Sequence, residues 1–310
     1  MKKLFILSGG MGSEREVSLL SGKNVVETLR EEGIICEEVI VVADKSFVHN
    51  DRKMSEEEGL DFLKQEDVLV FQLLHGTYGD LIGKLEERGI SYIRSSKKVL
   101  ALAINKYETE EVLRESNITT TESALVRHGE TLPVGVSFPC IVKPNSEGSS
   151  VGVMKAWNRE ELEKMIAISL EIYKEVLVQK CVEGREFSCG VIEIDGVVHA
   201  LPVTEVILTK GEMFDYEAKY TVDGCKEVTP AKVDEVLAQK MQEVALKVHT
   251  VTRCQDISRT DMIVQDDGEI VVLEINTVPG MTRTSFIPEE MRVAGYTLSQ
   301  FVVGMMEKYS

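Results

Sequence analysis

The first feature of this sequence that could do chemistry is a strand that ends in a carboxylate and an amide. In the stretch VVLEINTVPG, Glu274 and Asn276 are two residues apart and alternate with apolar residues. Side chains two apart in a strand share a face, so the two polar groups lie on one side. The Pro-Gly pair that follows, ending at Gly280, predicts a turn directly after the strand.

A second strand brings further polar groups to the same place. Asp267-Gly268, just upstream, is a strong signal for a two-residue hairpin turn. With that turn, Asp261 faces Glu274 and Arg259 faces Asn276. The predicted apolar face of this hairpin consists of Met262, Val264, Val271, Leu273 and Ile275.

Two interpretations of this polar end stay open at the level of the residues. Facing carboxylates repel one another, so a sheet tolerates Asp261 opposite Glu274 when a cation is near. Oxygen ligands without His or Cys favour Mg²⁺ or Mn²⁺ over Zn²⁺. The alternative is a solvated strand face whose acids are neutralised by Arg259. A one-residue slip of the register would remove the metal interpretation.

A loop of small residues could hold an anion. The stretch KPNSEGSSVG begins at Lys143, where Pro144 ends a predicted strand, and returns to another strand. Gly148 and Ser149 allow backbone N–H groups to approach a phosphate, and hydroxyls add donors. The spacing is not that of a Walker loop. The alternative is an ordinary surface hairpin.

Other charged residues have a structural and a functional interpretation. Lys106 and Lys180 could add positive charge for a polyphosphate or could be solvated lysines. Glu186 follows a strand and suits a ribose, or belongs to a plain linker. Glu14 begins a helix after a Gly-rich turn. It could stabilise the helix dipole, or hold an ammonium group at the mouth of a parallel sheet.

Composition narrows the class of protein. The 310 residues carry a net charge of −17, so nucleic acid is not an expected partner. The six cysteines form no C-x-x-C pair and predict free thiols in a reducing cytosol. The N-terminal apolar run is too short for a signal peptide, and no run approaches the length of a membrane span. We expect a cytoplasmic protein without membrane contact.

The element order predicts an α/β fold in three units. Apolar strands and amphipathic helices alternate over residues 1–94, which predicts a parallel N-terminal α/β layer. Residues 95–182 predict helices around a strand–loop–strand segment, and residues 183–310 predict strands, a long helix and the hairpin. The second and third units are therefore expected to be α+β domains.

Eight segments, in order and across nearly the whole chain, resemble the D-alanine–D-alanine ligases of the ATP-grasp superfamily. They are GGMGSEREVSLLSG, LLHG, INK, IVKPNSEGSSVG, VLVQKCVEGREF, FDYEAKY, SRTDMIV and LEINTVPGMT. The resemblance implies a three-domain ATP-grasp architecture whose last two domains clasp ATP. It implies an ADP-forming ligase that joins two D-alanines through an acyl phosphate for peptidoglycan precursors.

The resemblance also implies roles for individual residues. Glu14, Ser149 and Tyr220 would close the site, with Glu14 on the first ammonium group and His75 beside that substrate. Arg259 and the Gly280 N–H would stabilise the oxyanion. Lys219 and Ser285 would bind the second carboxylate. The remaining implied sites are ATP at Lys106, Lys143, Gly148, Lys180 and Glu186, and two Mg²⁺ ions, or Mn²⁺, at Asp261, Glu274 and Asn276.

Three departures from the family's pattern bear on the substrate. The segment HGTYGDLIG after His75 is shortened, Arg94 in YIRSS replaces a small residue, and Gln179 stands where an acid is common. The alternatives are therefore a related carboxylate–amine ligase with another amino acid or amine, and a catalytically silent nucleotide-binding protein. Tyr220 favours an amide product. The relatives imply a homodimer formed through the N-terminal domain.

Overall fold

The computed structural model of the protein describes residues 2–12, 14–65, 67–76, 79–148, 150–209 and 224–310. Their strands form three sheets that follow one another along the chain. The predicted mixed α/β architecture, with a parallel N-terminal layer, is confirmed. The division into domains at residues 94/95 and 182/183 stays a prediction. Within these ranges, no helix combines the length and the apolar character that crossing a bilayer requires.

The first sheet is parallel at its centre, as predicted. It has the strand order β4-β3-β2-β1-β5-β6, and β1 pairs in parallel with β2 and with β5. Its strands are β1 (Lys3–Gly9), β2 (Cys36–Val41), β3 (Phe47–His49), β4 (Arg52–Met54), β5 (Val68–Gln72) and β6 (Tyr92–Ile93). Helices cover both faces: α1 (Arg15–Glu31), α2 (Glu56–Leu63) and α3 (Gly79–Glu87).

One hairpin of this sheet was not predicted. Strands β3 and β4 pair in antiparallel fashion, with His49 opposite Arg52. The two residues between them, Asn50 and Asp51, have φ of 47° and 62°. Two consecutive positive φ angles are the requirement of a tight two-residue turn, and Asn and Asp tolerate them best after Gly. The Asn-Asp pair was the available signal for this hairpin.

The second sheet is small and antiparallel, with the order β7-β10-β8-β9. Its strands are β7 (Ser123–Arg127), β8 (Cys140–Pro144), β9 (Met154–Ala156) and β10 (Glu175–Lys180). Helix α6 (Arg159–Ile172) packs on it and buries Leu162 and Ile166 against Val142 and Val176. Strands β8 and β9 therefore present the small-residue loop between them at one edge of the sheet.

The third sheet contains the hairpin and has the order β14-β13-β11-β15-β16, with β12 beside β11. Its strands are β11 (Arg185–Ile194), β12 (Val197–Ala200), β13 (Thr204–Leu208), β14 (Cys225–Val228), β15 (Ile257–Val264) and β16 (Ile270–Asn276). Helix α7 (Glu235–Val251) covers one face. Met241 and Val248 of α7 are fully buried among side chains of these strands.

The remaining helices connect the three sheets. Helices α4 (Lys97–Ile104) and α5 (Lys106–Glu115) pack on the third sheet, where Val99 and Leu113 join Val272 and Ile275 in one apolar cluster. The last helices, α8 (Phe286–Ala294) and α9 (Leu298–Lys308), return to the first sheet. The first and third sheets are thereby held against each other, with the carboxyl ends of β1 and β5 toward the hairpin.

The hairpin register is confirmed at its polar end and wrong near its turn. Arg259 pairs with Asn276 and Asp261 with Glu274, as predicted. The turn, however, has three residues, because Gln265 N donates to Glu269 O at 2.9 Å. The ladder near the turn is therefore displaced by one residue, and an irregularity between Asp261 and Met262 restores the register.

The bulge changes which side chains form the apolar face of β16. Met262 pairs with Val272, and Ile263 pairs with Val271. Val272 is fully buried in the place predicted for Leu273, which is the unpaired extra residue. Val271 lies on the opposite face from the predicted one. The prediction failed here because a two-residue turn was assumed, and a bulge leaves no mark in an apolar run.

Candidate active site

A cavity of about 1110 Å³ opens where the three sheets meet. It lies at the carboxyl ends of β1 and β5, beside the polar end of the hairpin. Ligands collect at such sheet ends because loops and helix starts converge there. Nine of the residues proposed from sequence line it: Glu14, His75, Lys106, Gly148, Arg259, Glu274, Asn276, Gly280 and Ser285.

The start of α1 brings Glu14 to the loop after β5. Ser18 accepts a hydrogen bond from Gly9 N at 2.9 Å and donates to Leu73 O at 2.6 Å. This single hydroxyl ties the helix to the ends of β1 and β5. A Cβ atom at Gly148 would lie 3.2 Å from Oε2 of Glu14. Gly148, in the small-residue loop of the second sheet, therefore lies directly against the Glu14 carboxylate.

His75 is a buried neutral imidazole at the wall of the cavity. Burial lowers its pKa to about 3, and the charges of Arg94 and Arg259 act in the same direction. Its Nε2 atom is buried and has no hydrogen-bond partner among the described residues. A neutral imidazole with an unused ring nitrogen can donate or accept a hydrogen bond without adding charge.

Arg259 is held by a bidentate contact with Asp261. Its Nε and Nη2 atoms donate to the carboxylate at 2.8 and 2.6 Å, and its guanidinium stacks on Phe286 at 5.3 Å. Burial works against the charge, yet Asp261 and Glu274 keep the pKa of Arg259 above its ordinary value. Ser188 also donates to Asp261, at 2.7 Å. Arg259 is thus a permanent, oriented cation at the cavity wall.

Lys106 and Lys143 place two further cations next to the acids. Lys106 Nζ lies 3.5 Å from Glu274 Oε2 and donates to Glu147 O at 2.5 Å. Burial and the neighbouring Lys106 lower the pKa of Lys143 to about 8, against the pull of Glu274. Cations therefore lie beside both acids, Lys106 at Glu274 and Arg259 at Asp261. Asp261 is buried rather than solvated, and Glu274 lines the cavity.

The turn after β16 is built around Gly280. Asn276 Oδ1 accepts a hydrogen bond from Val278 N at 2.9 Å and so starts the turn. A Cβ atom at residue 280 would lie 2.8 Å from Ser285 Oγ, closer than real side chains pack. Ser285 Oγ itself accepts from Thr282 N at 3.1 Å. The absence of a side chain at Gly280 therefore lets this turn fold tightly against the start of α8.

Several of the proposed residues lie away from the cavity wall or outside the description. Asp261 and Lys143 are buried behind it. Lys180 is exposed at the end of β10, with Nζ 3.9 Å from Glu122, and Glu186 lies in β11. Residues Ser149, Lys219 and Tyr220 lie outside the described residues.

Two further charged groups lie at the site, of which sequence reasoning missed Glu290. Arg283, on the rim, contacts Asn24 and Glu27 of α1 at 3.3 and 3.5 Å. Glu290 of α8 is fully buried below the hairpin and accepts from Gly190 N at 2.8 Å and from Thr204 at 2.9 Å. Burial raises its pKa to about 8. A charge in the apolar stripe of α8 was the only signal for Glu290.

Gln179, one of the departures from the family's pattern, forms hydrogen bonds with other side chains of the protein. Its amide donates to Glu110, and to Thr121 at 2.8 Å, and Thr121 donates to Glu110 at 3.1 Å. Both Gln179 and Glu110 are buried. The amide therefore supplies a hydrogen bond to a buried acid that a carboxylate at position 179 would repel.

Comparison with solved structures defines the class of the fold. Over the whole chain, the protein matches the VanG D-Ala:D-Ser ligase from Enterococcus faecalis with a TM-score of 0.85 at 27% identity, covering 99% of that chain. It matches the D-alanine–D-alanine ligase from Bacillus anthracis with a TM-score of 0.79 at 26% identity, covering 97%. The fold is the ATP-grasp fold of these ligases, as predicted.

The sequence comparisons then give the family. Residues 99–307 match the model described as the D-ala D-ala ligase C-terminus. D-alanine–D-alanine ligases from Fervidobacterium nodosum and Citrifermentans bemidjiense are 34% and 33% identical, covering 96% and 100% of this chain and 96% of each relative. The D-alanine–D-alanine ligase B of Mesorhizobium japonicum is 35% identical over 100% of this chain and 98% of its own length. The chain belongs to the D-alanine–D-alanine ligase family.

Proposed function

We propose that this protein is an ATP-dependent ligase that joins two D-alanine molecules into D-alanyl-D-alanine, a unit of peptidoglycan precursors. Family membership supports this. The observation that carries the proposal is the convergence of three kinds of group in one cavity. Glu14 suits an ammonium group, Arg259 suits a developing oxyanion, and Glu274 with Asn276 suits a divalent cation. An amide-forming ligase needs all three.

The chemistry requires activation of a carboxylate. The carboxylate of the first D-alanine attacks the γ-phosphorus of ATP, which releases ADP and leaves an acyl phosphate. The amine of the second D-alanine then attacks the acyl carbon, and phosphate leaves. Phosphoryl transfer depends on neutralising charge, which Lys106 and Lys143 supply at the acid cluster. The small-residue loop over Glu14 would keep water from hydrolysing the acyl phosphate.

The residues present fit a divalent cation that is shared with phosphates. In the described ranges no group of three or more His, Cys, Asp and Glu side chains forms a metal cage. Asp261, Glu274 and Asn276 offer few protein oxygens, and Mg²⁺ is usually held by one or two carboxylates plus substrate phosphates. Such ions would neutralise phosphate charge. We assign two Mg²⁺ ions to this set, with Mn²⁺ as a substitute.

The positions of the side chains support the substrate roles that the resemblance implies. Glu14 binds the first ammonium group, with the neutral His75 beside it. Arg259 and the N–H of Gly280 stabilise the tetrahedral oxyanion, for which preorganised donors are the main source of rate enhancement. Ser285 binds the second carboxylate. The roles of Ser149, Lys219 and Tyr220, and of Lys180 and Glu186 at the adenosine, rest on the resemblance alone. So do a cytoplasmic homodimer and three separate domains.

An assay of ADP release tests the proposed function. The protein is mixed with ATP, Mg²⁺ and one amino acid at a time, from a panel of D- and L-amino acids and small amines, and ADP and dipeptide are measured. D-alanine is expected to give the fastest release, with one D-alanyl-D-alanine per ADP. ATP binding without release by D-alanine would rule the proposal out, and faster release with another amine, such as D-serine, would change its substrate.

Nucleotide binding is expected to take up a proton above pH 8. With a pKa near 8, Lys143 is largely neutral at pH 9 in the free protein. Phosphates nearby favour the charged form of Lys143, so nucleotide binding raises the pKa of Lys143. Up to about one proton is then taken up for each nucleotide bound. Calorimetric titration at pH 9 in buffers of different ionisation enthalpy measures this number. Lys143→Arg, always charged, is expected to bind without it; equal uptake in both proteins would contradict the prediction.

A further inference from the structure

Arg94 combines a buried charge with an unfavourable backbone conformation. It follows β6 directly, its side chain is 1% exposed, and its φ is 118°, a backbone conformation that L residues rarely adopt. A buried charge and an unfavourable backbone are both costly. When a fold keeps both at one residue beside its active site, a functional reason is a sound hypothesis.

The contacts of Arg94 join the two walls of the active site. Its Nε donates to Gln72 O, at the end of β5, at 3.3 Å, and its Nη2 donates to Pro279 O at 3.4 Å. Its own N–H donates to Asp256 Oδ2 at 2.7 Å. The guanidinium also stacks on Phe71 at 5.1 Å. Each carbonyl contact is long, but the charge strengthens both.

No carboxylate among the described residues forms a salt bridge with the guanidinium of Arg94. Asp256, the acid whose charge acts on it, already accepts from Lys308 Nζ at 2.9 Å and from Tyr309 Oη at 2.9 Å. The Nη1 atom of Arg94 is buried and has no partner among the described residues. The guanidinium therefore acts on the carbonyl groups around it.

Pro279 O matters because of the peptide to which it belongs. The Pro279 carbonyl and the Gly280 N–H are the two ends of one planar peptide unit, and in a trans peptide they point in opposite directions. Gly280 lines the cavity, whereas Arg94 is buried behind the wall. A donor that holds the carbonyl from behind thus turns the N–H toward the cavity.

We propose that Arg94 is a positioning residue of the ligase. Its buried guanidinium, hydrogen-bonded to Pro279 O and Gln72 O, orients the Gly280 N–H toward the reacting carbonyl. It also fixes the turn that contains Gly280 to the end of β5. This inference rests on the proposed function. It assigns a role to the arginine in YIRSS, which departs from the family's pattern. Polarising the Pro279 carbonyl also makes the Gly280 N–H a stronger donor.

Two variants test this role. Arg94→Met keeps much of the volume but removes the donors and the charge, and Arg94→Gly suits the positive φ. Outright loss of an oxyanion donor costs about 10²–10³-fold in kcat, so misorientation is expected to lower kcat about tenfold or more. The KM for ATP is expected to stay within about twofold. Arg88→Met, at a partly exposed arginine paired with Glu57 and Asp61, is the matched control.

A spectroscopic readout separates positioning from general damage. The ¹H–¹⁵N resonance of Gly280, assigned with Gly280→Ala, is expected to shift in both Arg94 variants and to stay in Arg88→Met. If one variant does not fold, the other decides. A folded variant with wild-type kcat, or an unmoved Gly280 resonance, overturns the proposal. Wild-type protein without D-alanine-dependent ADP release instead overturns the proposed function, and the resonance still tests Arg94.

Discussion

Arg259→Ala is expected to lower kcat by about 10²–10³-fold or more, the largest effect of any single change considered for this protein. Removal of one preorganised donor to a tetrahedral intermediate has this size. The same change leaves the buried Asp261 carboxylate without its two hydrogen bonds from Arg259, of 2.8 and 2.6 Å. Breaking one side of such a pair costs about 3–5 kcal/mol of stability. ADP release with D-alanine should be measured well below the midpoint of thermal unfolding.

Two further variants serve as comparisons for the Arg259→Ala result. Arg259→Lys keeps the charge but loses the fork of donors, so it is expected to recover stability more than activity. Arg292→Ala changes an exposed arginine of α8 that pairs with Glu289, and is expected to leave kcat unchanged. If Arg259→Ala is folded and turns over within a few-fold of wild type, Arg259 is not the oxyanion donor.

Glu274→Gln is expected to cost about 10²-fold or more in kcat and to raise the Mg²⁺ concentration at half-maximal rate at least tenfold. Even partners of metal ligands contribute 10–100-fold, so a ligand contributes at least that much. The carboxylate faces Asp261 across the hairpin, and like charges in that position repel. The variant is therefore expected to melt no earlier than wild type.

Rates over a Mg²⁺ titration, together with a thermal melt, check both parts of this prediction. Glu269→Gln makes the same chemical change on an exposed residue of the same hairpin, and is expected to match wild type throughout. A Glu274→Gln protein with an unchanged Mg²⁺ dependence would remove Glu274 from the metal site. A large loss of thermal stability would mean that its contact with Lys106 matters more than the repulsion.

Local patterns predicted the parts of the site that depend on one or two adjacent strands. The pairing of Asp261 with Glu274 follows from a single hairpin, and the loop at Gly148 from one strand–loop–strand segment. Contacts between distant segments could not be predicted in this way. Gln179 and Glu110 are 69 residues apart, and Arg94 and Pro279 are 185 apart. An isolated arginine is ordinarily solvated, so only the folded chain reveals that Arg94 is buried.

The bulge at Leu273 separates the pairing near the turn from the pairing at the site. Ile270, Val271, Val272 and Leu273 are all apolar, so a one-residue slip of the outer ladder exchanges apolar for apolar side chains on both faces. Asp261 therefore lies opposite Glu274 both in a regular two-residue hairpin and in the bulged hairpin. A change of one residue in the length of the exposed turn can be absorbed at residue 273, so the proposed metal-binding end keeps its geometry when the turn changes.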